Sequence, residues 1–120
     1  MWTRSMEERA SVIKKAVDVA GGKIPIMIGT GTTNPIDTLA QTVQAKECGA
    51  DAALVVTPMY VKPTQNQLID HFESLADTVD FPIVLYNVPG RTGVDMVPET
   101  VERLSRHRNI VGIKEATGEV

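Results

Sequence analysis

The sequence has 120 residues, of which 42% are hydrophobic and 22% are charged, with a net charge of -3 and an isoelectric point near 5.3. This balance is typical of a small globular domain, and it provides no basic field to attract nucleic acid or an anionic membrane. No apolar run approaches the roughly 20 residues that cross a bilayer, and the N-terminus has no signal-peptide core. Cys48 is the only cysteine, which excludes an intrachain disulfide or a cysteine-based metal site and favours a small buried side chain. We therefore expect a soluble cytoplasmic protein.

The first half of the chain predicts two amphipathic helices and two short strands. The apolar run over residues 24–29 predicts a strand buried on both faces, and residues 52–56 predict another. Asn34 can cap a helix that starts at Pro35, because proline has no N–H to lose at that position. The helix before the first strand, over residues 4–20, has an apolar stripe at helical spacing: Met6, Ala10, Ile13, Val17 and Ala20.

The second half repeats this alternation. Thr64 and Gln67 have capping-box spacing at the start of a third helix. A strand over residues 81–86, a long loop over 87–97, a helix opened by Pro98 and a strand over 110–114 follow. Buried strands that alternate with amphipathic helices imply a parallel α/β sheet with right-handed crossovers. A doubly wound sheet and part of a (β/α)8 barrel both remain possible, since a full barrel needs about 250 residues. The third helix has the stripe Leu68, Phe72, Leu75, Ala76 and Val79.

In both architectures the active site lies at the carboxyl ends of the strands, where polar side chains collect in this sequence. Lys114 ends the fourth strand on the same face as Gly112, which leaves room beneath it. If the lysine is buried, its pKa falls, and a neutral amine can attack a carbonyl to form an imine. The alternative is a lysine that extends to solvent or pairs with a carboxylate.

Three further residues lie at the ends of predicted strands or in the loops just after them. Tyr86 is either a core aromatic residue or a group that moves protons. Arg91, after the turn pair Pro89-Gly90, is either a carboxylate-binding fork or a solvated loop residue. Tyr60 follows the second strand.

Four segments together resemble the dihydrodipicolinate synthase family. The strongest are Tyr86-Asn87-Val88-Pro89-Gly90-Arg91-Thr92-Gly93 and Gly112-Ile113-Lys114-Glu115-Ala116-Thr117-Gly118. Val56-Thr57-Pro58-Met59-Tyr60 and Gly29-Thr30-Gly31 support them, and the resemblance extends over all 120 residues. It implies a (β/α)8 barrel that condenses pyruvate with aspartate 4-semialdehyde, in lysine and diaminopimelate synthesis, with no metal or organic cofactor.

The resemblance also implies a role for each residue. Lys114 forms the imine with pyruvate, and Tyr86 belongs to the proton relay. Tyr60 crosses a tight dimer interface to complete the relay of the neighbouring subunit, so we expect a homo-oligomer. Arg91 holds the carboxylate of the semialdehyde.

The chain departs from the family pattern at two places. The relay threonine of a Gly-Thr-Thr-Gly-Glu loop is absent, because the sequence begins just after that loop and stops just past the sixth strand. We therefore interpret residues 1–120 as one partial barrel domain, an internal fragment that lacks strands 1–2 and 7–8, with open sheet edges, low stability and little activity. The positions that bind inhibitory lysine in sensitive members hold other residues, so we expect weak or absent inhibition: Met6, Arg9, Thr33, Asp37 and Met59.

Two other functions compete with this interpretation. N-acetylneuraminate lyase and the 2-keto-3-deoxy sugar-acid aldolases share the strand-five tyrosine and the strand-six lysine, but they generally lack an arginine at the position of Arg91. A non-catalytic half barrel would instead need a second copy to cover its edges. A doubly wound binding domain is disfavoured, because the chain has no Gly-x-Gly-x-x-Gly phosphate turn.

Overall fold

The computed structural model describes residues 3–31, 34–57, 63–92 and 94–115, with the backbone alone at residues 90 and 91. Helices and strands alternate along these residues, as the sequence predicts. The helices are α1 (Arg4–Ala20), α2 (Pro35–Glu47), α3 (Gln65–Val79), α4 (Pro89–Thr92) and α5 (Pro98–Ser105). The strands are β1 (Met27–Gly29), β2 (Ala52–Val56), β3 (Ile83–Asn87) and β4 (Ile110–Glu115). None of the described helices is long and apolar enough to cross a membrane.

The four strands form one parallel sheet in the order β1-β2-β3-β4. Each strand therefore pairs with the next one along the chain, and the order does not reverse. A doubly wound sheet reverses its strand order at the point where the ligand binds, whereas successive strands of a (β/α)8 barrel always lie side by side. The topology thus favours part of a barrel over a doubly wound sheet.

One face of the sheet packs against the helices and forms the core. Ala53 and Val55 of β2 and Ile83 and Leu85 of β3 are buried on this face. The apolar stripe predicted for α3 is buried in full, which confirms that prediction. In α1 the burial is narrower, since only Ala10 and Ile13 of the predicted stripe are fully buried. Further buried side chains complete the core: Ala45, Cys48, Val94, Met96, Leu104 and Ile110.

The other face of the sheet is open, so the prediction of strands buried on both faces is wrong for the described residues. Strand pairing places nine residues on this open face, and each is partly or fully exposed. The physical reason is that no described element packs against them. β1 is also shorter than predicted, and Ile24 before it is 62% exposed. The open face consists of Met27, Gly29, Ala52, Leu54, Val56, Val84, Tyr86, Gly112 and Lys114.

Local sequence signals set the starts of the helices. Asn34 caps α2, because its side-chain oxygen accepts a hydrogen bond from the backbone N–H of Ile36 at 2.9 Å, and Pro35 is the first helical residue. Thr64 and Gln67 form the predicted capping box at α3, with bonds of 3.2 and 2.9 Å. These predictions are confirmed. The caps could be predicted from sequence because each involves groups only two or three residues apart.

The connection from β3 to α5 differs from the predicted loop over residues 87–97. β3 continues to Asn87, and Pro89–Thr92 forms the short helix α4. The hydroxyl of Thr92 donates to the carbonyl of Val94 at 3.0 Å and accepts from its N–H at 3.2 Å. We refer to residues 88–97 as the β3–α5 connection.

The turn after β1 is tightly packed at Gly31. A Cβ atom on this glycine would lie 2.6 Å from the backbone nitrogen of Val56, closer than Cβ atoms in folded proteins approach non-bonded heavy atoms. Thr30 beside it is fully buried, and its hydroxyl pairs with that of Thr42 at 2.8 Å. The Gly-Thr-Gly turn is therefore held by packing against β2 and by a buried hydroxyl pair.

Candidate active site

Tyr86 and Lys114 lie together at the carboxyl ends of neighbouring strands. They are paired in the register of β3 and β4, and both belong to the open face. The lysine Nζ lies 5.0 Å from the centre of the tyrosine ring, within the distance of a cation–π interaction. The structure therefore brings these two predicted site residues into contact.

The lysine itself is exposed, so of the two possibilities left open by the sequence the described residues match a lysine that extends to solvent. Gly112 shares its face, as predicted, and a Cβ there would meet only the methyl groups of Val84 at 3.9 and 4.0 Å. Exposure follows from the open face, because no described element covers the end of β4.

The other two predicted site residues are described in part or not at all. Arg91 lies in α4, directly beyond the carboxyl end of β3, which is the end of the sheet where Lys114 is found. Its side chain, like the whole of Tyr60, lies outside the described residues. Thr33 and Met59, two of the positions discussed for lysine inhibition, also lie outside them.

A buried amide beside the site was missed by the sequence reasoning. Asn87, the last residue of β3, is fully buried. Its Nδ2 donates to Asp95 Oδ1 at 2.8 Å and to Glu115 Oε1 at 2.5 Å, and its Oδ1 accepts from the backbone N–H of Met96 at 3.2 Å. The available signal was an asparagine that ends an apolar strand, since a buried amide needs hydrogen-bond partners.

Three charged or titratable groups in the described part of the chain, outside the Lys114–Tyr86 pair, have shifted pKa values. Burial lowers the pKa of the Arg9 guanidinium, which donates to the carbonyl of Gly29, and burial also lowers the pKa of His71 on α3. A hydrogen bond from Asn109, and then the charge of Arg108, lower the pKa of Asp80. Arg9 therefore contacts the carboxyl end of β1, whereas Asp80 bonds to Asn109 just before the amino-terminal end of β4.

Among the described residues, no group of three or more histidine, cysteine, aspartate or glutamate side chains could hold a metal ion. Cys48 is a free thiol that is 7% exposed, which confirms the prediction of a small buried residue.

These observations define a class of protein: part of a parallel α/β barrel with a lysine and a tyrosine adjacent at the carboxyl ends of its strands. The model of the dihydrodipicolinate synthetase family matches residues 1–120. The chain belongs to this family.

Curated relatives match closely over nearly the whole chain. The 4-hydroxy-tetrahydrodipicolinate synthase of Pseudomonas aeruginosa is 52% identical over 118 residues, which are 98% of this chain and 40% of the relative. The enzyme of the same name from Alcanivorax borkumensis is 54% identical over 116 residues, or 97% of this chain and 40% of the relative. The chain thus spans about 40% of the length of the curated relatives it matches.

Solved structures confirm the fold. A dihydrodipicolinate synthase from Acinetobacter baumannii, complexed with pyruvate, superposes with a TM-score of 0.93 at 52% identity, over 98% of this chain and 40% of that one. The enzyme from Aquifex aeolicus gives a TM-score of 0.88 at 45% identity, over 95% and 39% of the two chains. A monomeric dihydrodipicolinate synthase variant gives 0.91 at 44% identity, over 94% and 38%. The described residues therefore fold as part of a (β/α)8 barrel.

Proposed function

We propose that this chain carries the Schiff-base centre of an enzyme that condenses pyruvate with aspartate 4-semialdehyde. The observation that carries the proposal is the contact between Lys114 and Tyr86, an amine and a phenol on one face at the carboxyl ends of adjacent strands. Active sites of (β/α)8 barrels lie at this end of the sheet. The family match supports the choice of reaction. The proposal includes the cytoplasmic location that the sequence predicts for the protein.

The chemistry needs an amine nucleophile and a group that moves protons. Lys114 Nζ attacks the keto carbon of pyruvate, and loss of water leaves an imine. Removal of a proton from the methyl group then gives an enamine, whose methylene carbon forms a bond with the aldehyde carbon of the second substrate. The aldehyde oxygen accepts a proton as this bond forms. Tyr86, whose ring centre lies 5.0 Å from the amine, can donate and accept protons in these steps.

Arg91 decides the second substrate in this proposal. A guanidinium binds a carboxylate through two parallel hydrogen bonds, and the semialdehyde presents a carboxylate remote from its reacting carbon. The position of α4 beyond β3 supports this role, because it lies at the same end of the sheet as the amine. The aldehyde-derived half of a sugar-acid substrate presents hydroxyl groups at that place instead, which do not require an arginine.

Tyr60 acts across a subunit boundary in this proposal, and the intact enzyme is then at least a dimer. The support is its place in the sequence, four residues after Val56 ends β2. β2 is the strand next to the one that carries Tyr86.

Borohydride trapping tests the Schiff base. The 120-residue chain is incubated with pyruvate and borohydride, and the masses of its digested peptides are measured by mass spectrometry. A second protein, termed the chimera, has these residues in place of the matching segment of the Pseudomonas aeruginosa relative. We expect a reduced pyruvyl adduct on Lys114 that is absent from Lys114→Ala and present in Lys15→Ala, which removes an exposed lysine of α1. An adduct on the chimera alone would show that the amine needs a closed barrel, and no adduct on either would refute the proposal.

Mixed oligomers test the role of Tyr60. Chimeras with Tyr60→Phe and with Lys114→Ala are each expected to turn over poorly. When the two are unfolded and refolded together, a mixed dimer contains one site with both an intact lysine and an intact tyrosine from its neighbour. Activity that recovers on mixing supports a tyrosine supplied by the neighbour. Activity that stays lost would place Tyr60 in its own subunit's site or outside the reaction.

A further inference from the structure

Asn87 is satisfied by partners that fix its orientation. Its two amide hydrogens go to two different carboxylates, and its oxygen accepts from a backbone N–H. Turning the amide over would place its oxygen against two carboxylates, so the nitrogen must face them. The side chain therefore has one stable orientation in its buried site.

The three partners of Asn87 belong to two parts of the chain. Asp95 and Met96 form the returning part of the β3–α5 connection, after α4. Glu115 is the residue that follows Lys114 at the end of β4. One side chain thus joins the end of β3, the connection that carries Arg91 and the strand that carries Lys114.

The far side of the same connection is held by Gln65 at the start of α3. Its Nε2 donates to the carbonyl of Asp95 at 2.9 Å, while its Oε1 accepts from the N–H of Val97 at 3.1 Å and from the hydroxyl of Thr100 at 2.5 Å. Hydrogen bonds from Asn87 on one side and Gln65 on the other therefore hold the returning part of the connection in place. α4 lies between this anchored part and the end of β3, so the position of its backbone depends on both.

We propose that Asn87 is a positioning residue, which sets the β3–α5 connection, and with it Arg91, at a fixed place relative to Lys114. The inference rests on the proposed function for the roles of Arg91 and Lys114. Asp95 and Glu115 are both exposed carboxylates that repel each other, and the Asn87 amide supplies the donors that hold them together. An aspartate at this position would add a third carboxylate and remove both donors.

The first test measures local opening and needs no activity. In the 120-residue chain, native-state trypsin cleavage after Arg91 and amide exchange at Met96 are compared between the parent and Asn87→Ala. We expect cleavage at that bond and exchange at that amide to rise about tenfold, because bonds to charged acceptors are lost. Asp95→Ala is expected to act in the same direction, and it carries the test if Asn87→Ala does not fold.

A matched control distinguishes local opening of the β3–α5 connection from a general loss of fold stability. Asn109 also donates through its Nδ2 to two acceptors, the carbonyl of Ala76 at 3.2 Å and Asp80 Oδ1 at 2.9 Å, but it lies just before β4, at the opposite end of the sheet. Asn109→Ala should leave cleavage after Arg91 unchanged. Equal increases in both variants, or exchange that rises as much at Leu85 as at Met96, would mean that Asn87 only stabilises the fold.

The second test asks whether the position of the β3–α5 connection affects the KM for aspartate 4-semialdehyde. In the chimera, Asn87→Ala should raise the KM for aspartate 4-semialdehyde about tenfold, while borohydride still traps pyruvate on Lys114. Asp95→Asn keeps an acceptor and should stay near the parent, whereas Asp95→Ala should raise the same KM. Unchanged KM values in the variants would overturn the inference. Failure of the parent to trap pyruvate would refute the proposed function instead, and the cleavage and exchange results would still decide the role of Asn87.

Discussion

The amine of Lys114 lies 5.0 Å from the centre of the Tyr86 ring, because the two residues are paired neighbours on adjacent parallel strands. Side chains paired in this way point to the same face, so the contact depends on the register of β3 and β4. Such an interaction is worth about 0.5–1 kcal/mol at an exposed site, and it also keeps a phenol beside the amine.

Replacing Tyr86 with phenylalanine should separate packing from proton transfer. Phenylalanine keeps the ring against Lys114 but removes the hydroxyl, so the imine should still form while turnover falls about a hundredfold or more. Turnover of the chimera and the yield of the trapped adduct measure the two effects. Turnover equal to that of the parent would remove Tyr86 from the proton relay.

Replacing Gly31 with alanine should destabilise the chain by about 1–3 kcal/mol, because the new methyl group would overlap the backbone of Val56. Gly29, two residues earlier, is a matched control. No atom lies within 4 Å of its added Cβ, so Gly29→Ala should change stability little. Urea unfolding of both variants gives the comparison, and equal destabilisation would show that packing against Val56 is not the cause.

The stability of the chain should fall as the solution is acidified through the usual pKa of histidine. Burial lowers the pKa of His71 in the folded chain below its ordinary value of 6.5. Between the two pKa values the unfolded chain binds more protons, so this contribution is fully present above the ordinary value and is lost as the pH falls below it. His71→Leu should show a smaller loss than the parent when urea midpoints at about pH 7 and about pH 5 are compared. A parallel decline in both proteins would exclude His71 as the source.

Lysine should inhibit the chimera weakly or not at all. Arg9, at a position that would face the cationic ligand, carries a positive charge and already donates to the carbonyl of Gly29. Like charges at short distance disfavour binding. Initial rates with and without millimolar lysine measure the effect. Strong suppression would contradict this expectation and would require another set of contacts for the ligand.

Local signals in the sequence predicted the starts of the helices and the order of the elements. Asn34 bonds to the N–H two residues on, and Thr64 and Gln67 lie three residues apart, so both caps are decided within one turn of chain. The boundaries of β1 and β3 were predicted less well and α4 was not predicted, because these features depend on strand pairing and on contacts of the connection rather than on composition. The resemblance to the family could be stated from the motifs alone.

The sequence by itself determined the alternation of strands and helices, the helix caps, the buried stripe of α3 and the placement of Tyr86 and Lys114 at strand ends, since each follows from periodicity or from neighbours a few residues apart. The tertiary structure alone decided that Lys114 is exposed on an open face and that Asn87 binds Asp95 and Glu115. Those carboxylates lie 8 and 28 residues further along the chain. Contacts of that kind depend on which strands pair and in what register, and no local pattern of residue types contains that information.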